Sequence, residues 1–572
     1  MIIVGLHNTG ILSSAAVVVD GVLRAGMAEE RLDRRKHSKY FPLQAIEASL
    51  KQVGATLDAV DHFAVGWNPA INIGSRLRAG FSEWPAFPGA RFYANPNHLL
   101  PRLAPFAHQE TEQAFFAADG GSKRIHYVNH HLAHAANAFF LSPFDEAALL
   151  SCDGYGERAS LVWAVGRGER IEILREVHFP HSMGSFYSAL TQFLGFRPDH
   201  DEWKMMGAAA YGDAERFLPV MREAAPFDDE GTPHLNFDYF QHYDFDAATL
   251  FTPRLAERLG PPRLPDAPLE PRHFAIAAAA QRWMEQFLAA SVAALHRRTG
   301  LNRLCLTGGV MMNCVANGQI AQRGPFDEVY IPYAPDDSGN SLGAALWTHA
   351  RVTGQRPRPE TFPASPRLGR AYDDAALAVA LNNWKIAHRP VADPAGEAAR
   401  LLAQGKILGW FQGRMEFGQR ALGGRSILAD PRDPGMKARI NGAVKYRESF
   451  RPFAPVLPVE RLGDYFTLDC PLIVPYMEKT LAIRPERREE IPAVVHADGT
   501  GRVQTVDAAA DPLLHALLLA FERLTGTPVL LNTSLNLNHE PMVESPADAI
   551  RAFYTSGMDA LLLGGFLVEK QP

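Results

Sequence analysis

One unit of three strands occurs twice in the chain, and this repeat limits the possible folds more than any other feature of the sequence. The predicted strands of the two copies are residues 2–6, 14–19 and 22–28, followed by residues 147–152, 159–165 and 171–177. A tight turn joins the last two strands of each copy, with Asp20-Gly21 in the first and Gly166-Arg167-Gly168 in the second. A duplicated unit of this kind predicts two similar α/β lobes that face each other across a cleft.

Periodic segments after each copy predict the helices that would cover these two sheets. The expected helices are residues 43–53, 132–140, 274–295 and 341–350, and a further strand is expected at residues 303–307. Pro, Arg and Thr without periodicity occupy residues 351–366, which is typical of a linker. We therefore expect residues 1–352 to form one domain with the duplicated arrangement of actin-like ATPases and sugar kinases.

The remainder of the chain, residues 366–572, predicts a second domain of the α/β class. The expected helices are residues 395–404 and 513–521, and the expected strands are residues 406–411, 529–531 and 560–563. The chain has 572 residues, of which 47% are hydrophobic and 21% are charged. This length and composition supply the material for two hydrophobic cores.

Charge and apolar runs narrow the class of protein further. The formal net charge is -6 at pH 7. The chain therefore lacks the overall basic field that would indicate a nucleic-acid partner. No apolar run approaches the roughly 20 residues that cross a bilayer, and residues 1–6 resemble a strand rather than a secretion signal. We therefore expect a cytoplasmic protein with no membrane partner. The cysteines, which we expect to be buried thiols rather than ligands or disulfides, are Cys152, Cys305, Cys314 and Cys470.

A pair of histidines suggests a metal site. His130 and His134 lie one helical turn apart on a common face, as a bidentate metal site requires. A chain with 21 His residues contains about one such pair by chance, so the pair alone proves little. Asp153 and Asp337 strengthen the prediction of a metal site, because each could present a carboxylate to this helix from the end of a strand. Two imidazoles and two carboxylates suit Fe(II) or Mn(II) better than a closed structural zinc site.

Two motifs could hold a nucleotide. Gly308 and Gly309 form a turn between a predicted strand and a helix, with Asn313 close behind, and glycine lets backbone N–H groups approach a phosphate closely. Such turns also serve packing alone, so both interpretations stay open. Lys204, which precedes Met205-Met206-Gly207, is a weaker candidate because a lone lysine is usually a solvated side chain.

The second domain contains a run of Arg and Gly that suggests an anion site. Residues 414–426 alternate Arg with Gly directly after a predicted strand, and Lys445, Arg447 and Arg451 follow. Arg presents a fork that binds phosphate or carboxylate through two hydrogen bonds, while Gly permits close backbone approach. We therefore expect a small anionic ligand in this domain.

Taken in order, these motifs resemble the O-carbamoyltransferase family of nodulation and antibiotic-tailoring enzymes. The segments that carry the resemblance are residues 20–21, 29–31, 36–37, 130–134, 153–154, 204–212, 308–310, 337–343, 418–426, 451–455, 504–506 and 532–534. A single segment would be weak evidence. A dozen in the same order over the whole chain is a specific signal.

The resemblance implies an actin-like (ASKHA) N-terminal domain similar to threonylcarbamoyl-transfer ATPases and a YrdC-like C-terminal domain. The implied ligands of iron, with Mn(II) as the alternative, are His130, His134, Asp153 and Asp337. The implied ATP site contains Lys36, Lys204, Gly308, Gly309 and Asn313. The implied carbamoyl phosphate site contains Arg420, Lys445, Arg451, Arg502 and Asn532. The side chains that would act in catalysis are Lys36, Arg420, Lys445 and Arg451.

The resemblance also implies a reaction sequence. The C-terminal domain would cleave carbamoyl phosphate, and the carbamate would pass inside the protein to ATP. The resulting carbamoyl-adenylate would lose AMP to an acceptor hydroxyl, most simply that of a sugar or another small natural product. A closed route makes physical sense, because carbamate is short-lived in water. The family also makes a homodimer a reasonable expectation.

The sequence departs from the family pattern in two places. Residues 10–14 stand where family members generally carry a His-Asp pair, so the catalytic base is not identified. His7 lies nearby and could substitute, although a His at a strand end is more often structural. The second departure is at residues 536–541, where relatives usually have Arg-Gly before Glu-Pro. One cation is therefore absent from the second domain.

Two other functions fit parts of the sequence. One is carbamoylation of a hydroxymethylated base in DNA, because residues 67–108 mix aromatic side chains with Arg76, Arg78, Arg91 and Arg102. The same segment is equally suited to form a lid over a small molecule. The other is a nucleotide-binding regulatory protein without catalysis, which the missing His-Asp pair suggests. Retention of all four candidate metal ligands argues against it.

Overall fold

The computed structural model describes residues 1–8, 12–68, 110–116, 122–447 and 451–570. The first lobe contains a six-stranded sheet in the order β3-β2-β1-β4-β6-β5. Its strands are β1 (Ile2–His7), β2 (Ser14–Val19), β3 (Val22–Ala28), β4 (His62–Val65), β5 (Glu110–Phe116) and β6 (Ser122–Val128). β1 pairs antiparallel with β2 and parallel with β4, and β4 pairs parallel with β6.

The second lobe repeats this connectivity. Its sheet has the order β11-β10-β7-β8-β9, built from β7 (Glu146–Cys152), β8 (Ala159–Arg167), β9 (Arg170–His178), β10 (Arg303–Thr307) and β11 (Glu328–Tyr330). β7 pairs antiparallel with β8 and parallel with β10, as β1 does with β2 and β4. The two sheets differ in the edge strand β5 of the first lobe, which pairs antiparallel with β6. The predicted duplication is thereby confirmed.

Ten helices in the described part of the N-terminal domain surround and separate the sheets. They are α1 (Glu30–Asp33), α2 (Leu43–Gln52), α3 (His130–Leu141), α4 (Met183–Phe193), α5 (Glu202–Ala209), α6 (Leu218–Ala224), α7 (Pro253–Leu259), α8 (Pro271–Thr299), α9 (Cys314–Arg323) and α10 (Asn340–Thr353). The predicted helix at residues 274–295 is thus longer at both ends. Pro271 at its first turn and Gly300 in the left-handed conformation mark the two limits.

Helices α3 and α10 form the contact between the lobes. They pack against each other, while α10 also packs on β1 and α3 on β10. Glycine makes the approach possible, because a Cβ at Gly343 of α10 would lie 1.8 Å from the carbonyl oxygen of Ala133. Each helix therefore follows the strands of one lobe and packs on the sheet of the other. Their first turns meet in the cleft.

The C-terminal domain is built on an eight-stranded sheet in the order β12-β21-β20-β13-β14-β19-β15-β18. The strands of the sheet and of a separate β16–β17 pair are β12 (Arg389–Pro390), β13 (Leu408–Phe411), β14 (Arg425–Ala429), β15 (Ala454–Pro458), β16 (Thr480–Ala482), β17 (Thr500–Arg502), β18 (Gln504–Val506), β19 (Leu530–Ser534), β20 (Ala560–Leu563) and β21 (Phe566–Glu569). The helices are α11 (Asp374–Asn383), α12 (Pro394–Ala403), α13 (Met436–Ile440), α14 (Leu462–Tyr465), α15 (Pro512–Thr525) and α16 (Pro546–Tyr554).

This sheet is buried on both faces, which explains its continuous apolar strands. Successive residues of one strand join different cores: Ile427 packs in one cluster and Leu428 in the other. Leu561 likewise packs in the first cluster and Leu562 in the second. The reason is that successive side chains of a strand point to opposite faces of the sheet. The predicted α/β class is therefore confirmed, with a duplicated two-lobe N-terminal part and a second α/β unit at the position predicted to be YrdC-like.

Between the domains, the predicted linker is only partly irregular. α10 continues to Thr353, one residue past the expected domain end, and Gly354 in the left-handed conformation ends it. Residues 354–366 contain no helix or strand. Arg356 ties this segment to the N-terminal domain by donating to the carbonyl oxygens of Phe139 and Gly168.

The structure bears on the expected state of the cysteines and on the expected lack of a membrane-spanning segment. All four cysteines are free, and three of them are buried, whereas Cys470 is half-buried. None of the helices in the described part of the chain is both long enough and apolar enough to cross a membrane.

Candidate functional site

The four predicted metal ligands come together in the cleft as a His/Asp cluster, the name used below for His130, His134, Asp153 and Asp337. One donor atom from each lies within 4.8 Å of the others. Asp153 Oδ2 lies 2.9 Å from His134 Nε2 and 3.3 Å from His130 Nε2. Asp337 Oδ1 lies 3.4 Å from His134 Nε2 and 3.6 Å from His130 Nε2.

Regular elements fix this geometry. α3 begins at His130 because the Asn129 side chain accepts a hydrogen bond from the Leu132 N–H and so caps the helix. Asp153 follows directly after β7, and Asp337 opens the short turn that leads into α10. The cluster therefore stands where the first turns of two crossing helices meet the end of a strand.

Groups around the cluster orient it. The side-chain amide of Asn340 lies 3.1 Å from His130 Nδ1. The atom nearest this ring nitrogen is Asn340 Nδ2, and the contact fixes the orientation of the imidazole ring. Glu157 accepts the backbone N–H of His130 at 2.9 Å, and burial raises the pKa of Glu157 to about 8. Neither Asn340 nor Glu157 stands out in the sequence, because a single Asn or Glu has no diagnostic spacing.

The electrostatics of the cluster favour a bound cation. Burial alone would raise the pKa of Asp153, but its hydrogen bonds with His130 and His134 outweigh burial and hold that pKa well below its usual range. Burial alone would lower the pKa of His134, yet its bonds to Asp153 and Asp337 raise it to about 9. Two ionised, half-buried carboxylates therefore carry negative charge that a cation would neutralise.

The donor set fits iron or manganese. Two imidazole nitrogens and two carboxylate oxygens match the ligand chemistry of Fe(II) and Mn(II). Bonds of about 2.0–2.2 Å to nitrogen and oxygen require donors roughly 3 Å apart in a common coordination sphere. The measured separations of 2.9–3.6 Å satisfy this requirement.

The glycine turn stands beside the cluster. Gly308 has a φ of 93°, and a Cβ there would lie 2.1 Å from the carbonyl oxygen of Cys152. A Cβ at Gly309 would lie 2.8 Å from Asp153 Oδ1. Position 308 therefore needs glycine, whereas at position 309 a Cβ would displace the Asp153 carboxylate. Asn313 caps α9 by accepting from the Ala316 N–H and also bonds with Gln281.

A single cavity of about 870 Å³ joins the two domains. The predicted site residues that line it are Lys36, Asp153, Gly309, Asn313, Asp337, Arg420, Lys445, Arg451, Arg502 and Asn532. His130 and His134 lie behind the two carboxylates. Among the described residues around the cavity, Gly308 and Lys204 are not in the wall. Lys204 instead forms an ion pair with Asp201 at 3.2 Å.

At the C-terminal end, the cations of the cavity wall include Arg420, Lys445, Arg451 and Arg502, which we call the cation cluster. Burial and the charge of Arg502 lower the pKa of Arg420 to about 9. Burial and the charges of Arg447, Arg451 and Lys36 lower the pKa of Lys445. Within the described parts of the chain, no carboxylate forms an ion pair with Arg420, Lys445 or Arg502. A bound dianion would relieve this repulsion.

Lys445 and Asn532 show how this end is arranged. Lys445 ends a short π-helical turn, Asn441–Lys445, and its Nζ donates to Asn536 Oδ1 at 2.7 Å. Asn536, in the segment that departs from the family pattern, therefore anchors a cation of the cavity wall. Asn532 donates to Gln504 Oε1 at 2.7 Å, while its own Oδ1 is buried with no hydrogen-bond partner among the described groups.

The first departure can be located only in part. His7 is fully buried, and its Nε2 lies 3.6 Å from Asp337 Oδ2. Its two ring nitrogens have no hydrogen-bond partner among the described groups. Residues 9–11 lie outside the described residues, as do Arg76, Arg78, Arg91 and Arg102 of the segment that suggested DNA.

Comparison with known proteins gives consistent matches to both domains. A profile described as Carbamoyltransferase N-terminus matches residues 3–346, and one described as Carbamoyltransferase C-terminus matches residues 399–570. The chain is 34% identical to nodulation protein NolNO of Sinorhizobium fredii, covering 99% of this chain and 80% of that protein. It is 38% identical to nodulation protein NolO of Bradyrhizobium diazoefficiens, covering 78% and 79% respectively.

Solved structures are much more remote. The activator of the 2-hydroxyisocaproyl-CoA dehydratase from Clostridium difficile covers 62% of this chain and 96% of its own, with 13% identity and a TM-score of 0.30. A likeness at this level carries no argument about the site.

Proposed function

Because the chain belongs to the carbamoyltransferase family and is an enzyme of carbamoyl transfer, we propose that it is an ATP-dependent O-carbamoyltransferase. Its carbamoyl donor is carbamoyl phosphate, and its intermediate is a carbamoyl-adenylate. The observation that carries this proposal is the one cavity lined by Asp153 and Asp337 at one end and by the cation cluster at the other. Two sites with different ligand chemistry share one cavity.

The cation cluster serves the first step. Water adds to the carbonyl carbon of carbamoyl phosphate, the C–O bond to phosphate breaks, and carbamate and inorganic phosphate form. Arg420 and Arg502 bind the phosphoryl oxygens as forks, and the dianion offsets their mutual repulsion. The unpaired Oδ1 of Asn532 is suited to accept a hydrogen bond from the carbamoyl amino group.

The second step takes place at the other end of the cavity. A carbamate oxygen attacks the α-phosphorus of ATP, the bond to pyrophosphate breaks, and carbamoyl-adenylate forms. Backbone N–H groups near Gly309 and the ammonium of Lys36 face the triphosphate in this arrangement. The His/Asp cluster would hold iron, and the positive charge of the metal would neutralise phosphate oxygens.

In the third step, the acceptor oxygen attacks the carbamoyl carbon, AMP leaves with the bonding electron pair, and the hydroxyl proton passes to a base. The acceptor is a small molecule, because the same 870 Å³ must also accommodate the nucleotide. A cytoplasmic location and a homodimeric state complete the proposal, and size-exclusion chromatography of the purified protein tests the second.

The decisive experiment is exchange of labelled pyrophosphate into ATP, measured with iron-loaded protein in the presence and absence of carbamoyl phosphate. This half-reaction needs no knowledge of the acceptor. We expect exchange that depends on carbamoyl phosphate and disappears in His130→Ala. Phosphate release from carbamoyl phosphate, measured in parallel, should survive in His130→Ala and be lost in Arg420→Ala.

The two assays separate the possible failures. Phosphate release without exchange in the wild-type protein would contradict the adenylation step alone. Loss of phosphate release in His130→Ala would contradict the division of labour between the two ends. A protein that binds ATP but performs neither reaction would instead favour the regulatory alternative.

A further inference from the structure

An aromatic side chain of the N-terminal domain covers a cation of the C-terminal domain. Trp203 lies on α5, and the guanidinium carbon of Arg451 stands 3.8 Å from the centroid of its ring. This separation lies well inside the roughly 6 Å within which a guanidinium is attracted by an aromatic face. Trp203 Nε1 donates to the carbonyl oxygen of His200 at 3.0 Å, which fixes the orientation of the ring.

The surroundings of Arg451 make this contact consequential. Arg451 belongs to the cation cluster, and the charge of Arg451 is among the causes that lower the pKa of Lys445. Lys36 of the N-terminal domain acts on Lys445 in the same direction. Like charges push a flexible guanidinium away from the group that all of them must bind, whereas the ring face attracts it.

Other groups leave the ring face to Arg451. Lys204 Nζ also stands 5.6 Å from the Trp203 centroid, but its ion pair with Asp201 holds it apart. Trp203 and Arg451 both line the cavity. The pair thus forms part of the wall at the point where the two domains meet.

We propose that Trp203 is a positioning residue that holds Arg451 in the geometry needed to bind the phosphoryl group of carbamoyl phosphate, an inference that rests on the function proposed above. The anion site is then complete only when the N-terminal domain contributes its aromatic face.

The test uses the full-length, iron-loaded protein and measures phosphate release against carbamoyl phosphate concentration. Trp203→Leu should raise KM about tenfold, which lies between the effects of exposed and of desolvated cation–π contacts, and change kcat by less than about twofold. Trp203→Phe retains an aromatic face and should raise KM only about two- to threefold. Trp384→Leu, at a ring that is 53% exposed in the other domain, is the matched control.

A double-mutant cycle separates positioning from a general structural effect. In the Arg451→Ala background, Trp203→Leu should add little further increase in KM, because the group it positions is gone. The affinity for ATP, measured by calorimetry, should stay unchanged in every variant. The Phe variant and the cycle keep the test valid even if Trp203→Leu lowers stability.

Three results would overturn the inference, and they differ from one another. Additive effects in the cycle would show that Trp203 acts independently of Arg451. An unchanged KM in Trp203→Leu, beside a raised KM in Arg451→Ala, would refute positioning and leave the anion site intact. An unchanged KM in Arg451→Ala would refute both the inference and the assignment of this site in the proposed function.

Discussion

The two ends of the cavity are built on opposite electrostatic principles. At the N-terminal end, carboxylates and imidazoles stand in hydrogen-bond contact, and each side chain projects from or beside a helix start or strand end. At the C-terminal end, cations surround one space, and loops supply several of them. Among the described residues, no carboxylate forms an ion pair with Arg420, Lys445 or Arg502. The first end is preorganised for a cation before any ligand binds, whereas the second is repulsive until an anion arrives.

This contrast explains how two reactions can take place in order within one cavity. A preorganised site keeps its cofactor through each turnover. A repulsive site binds a dianionic substrate strongly, because the anion removes an existing cost in addition to making hydrogen bonds. After cleavage, the carbamate carries less charge than carbamoyl phosphate and is held less firmly. In the proposed reaction, the carbamate then meets ATP at the opposite end of the cavity.

The largest expected effect concerns the metal end. His134→Ala should reduce bound iron by at least tenfold, because it removes a buried ligand at the centre of the His/Asp cluster. Elemental analysis of protein purified with excess iron measures this directly. Arg420→Ala should bind as much iron as the wild type. Equal iron in His134→Ala and in the wild type would mean that the cluster is an ion-paired core rather than a metal site.

The next effect concerns the cost of the cation cluster. Arg420→Met should raise the anion-free stability by about 1 kcal/mol, since replacing a buried charge that lacks an opposite partner by an apolar side chain removes a desolvation penalty. Urea unfolding of both proteins, with and without about 10 mM phosphate, measures the difference in the free energy of unfolding. A concentration of this order lets a weakly bound anion stabilise the folded state.

Phosphate should stabilise the wild type and leave Arg420→Met almost unaffected. If Arg420→Met is instead less stable than the wild type without phosphate, the arginine contributes to the fold, and the contrast between the two ends would be wrong in its energetic form.

The sequence predicted the elements of both ends but not the contacts between them. The repeated strand unit and the His130–His134 spacing are local patterns, and the structure keeps them. Glu157 and Asn340 escaped notice because their roles depend on where two crossing helices meet. Trp203 escaped notice because its partner is 248 positions away in another domain. Spacing also cannot show that Lys204 turns to Asp201 instead of the cavity.

A smaller effect links anion binding to pH. Burial and neighbouring cations lower the pKa of Lys445 in the anion-free protein, and a bound dianion raises it again. Binding should therefore take up protons at pH values between the two. Sulfate is the suitable probe, because it does not titrate in this range. Calorimetry in two buffers of different ionisation enthalpy measures the uptake, which Lys445→Met should reduce.

The same group makes stability depend on pH in a defined direction. Its folded-state pKa lies below the usual value of about 10.4, so between these values the unfolded chain binds more protons and stability rises with pH. Lys445→Met should flatten that rise. Proton release on sulfate binding would contradict this account of the cation cluster.

The smallest effect concerns Asn536, which opens the segment 536–541 where the sequence departs from the family pattern. Its Oδ1 accepts from Lys445 Nζ at 2.7 Å, so it restrains the ammonium group instead of adding a charge of its own. Asn536→Ala should raise KM for carbamoyl phosphate about threefold, because Lys445 keeps its bond to the Asn536 carbonyl oxygen. Asn536→Arg should give a larger increase if the extra cation repels Lys445, and a decrease if it reaches the phosphate. Steady-state kinetics of the two variants therefore shows whether a further cation at this end repels Lys445 or binds the phosphate.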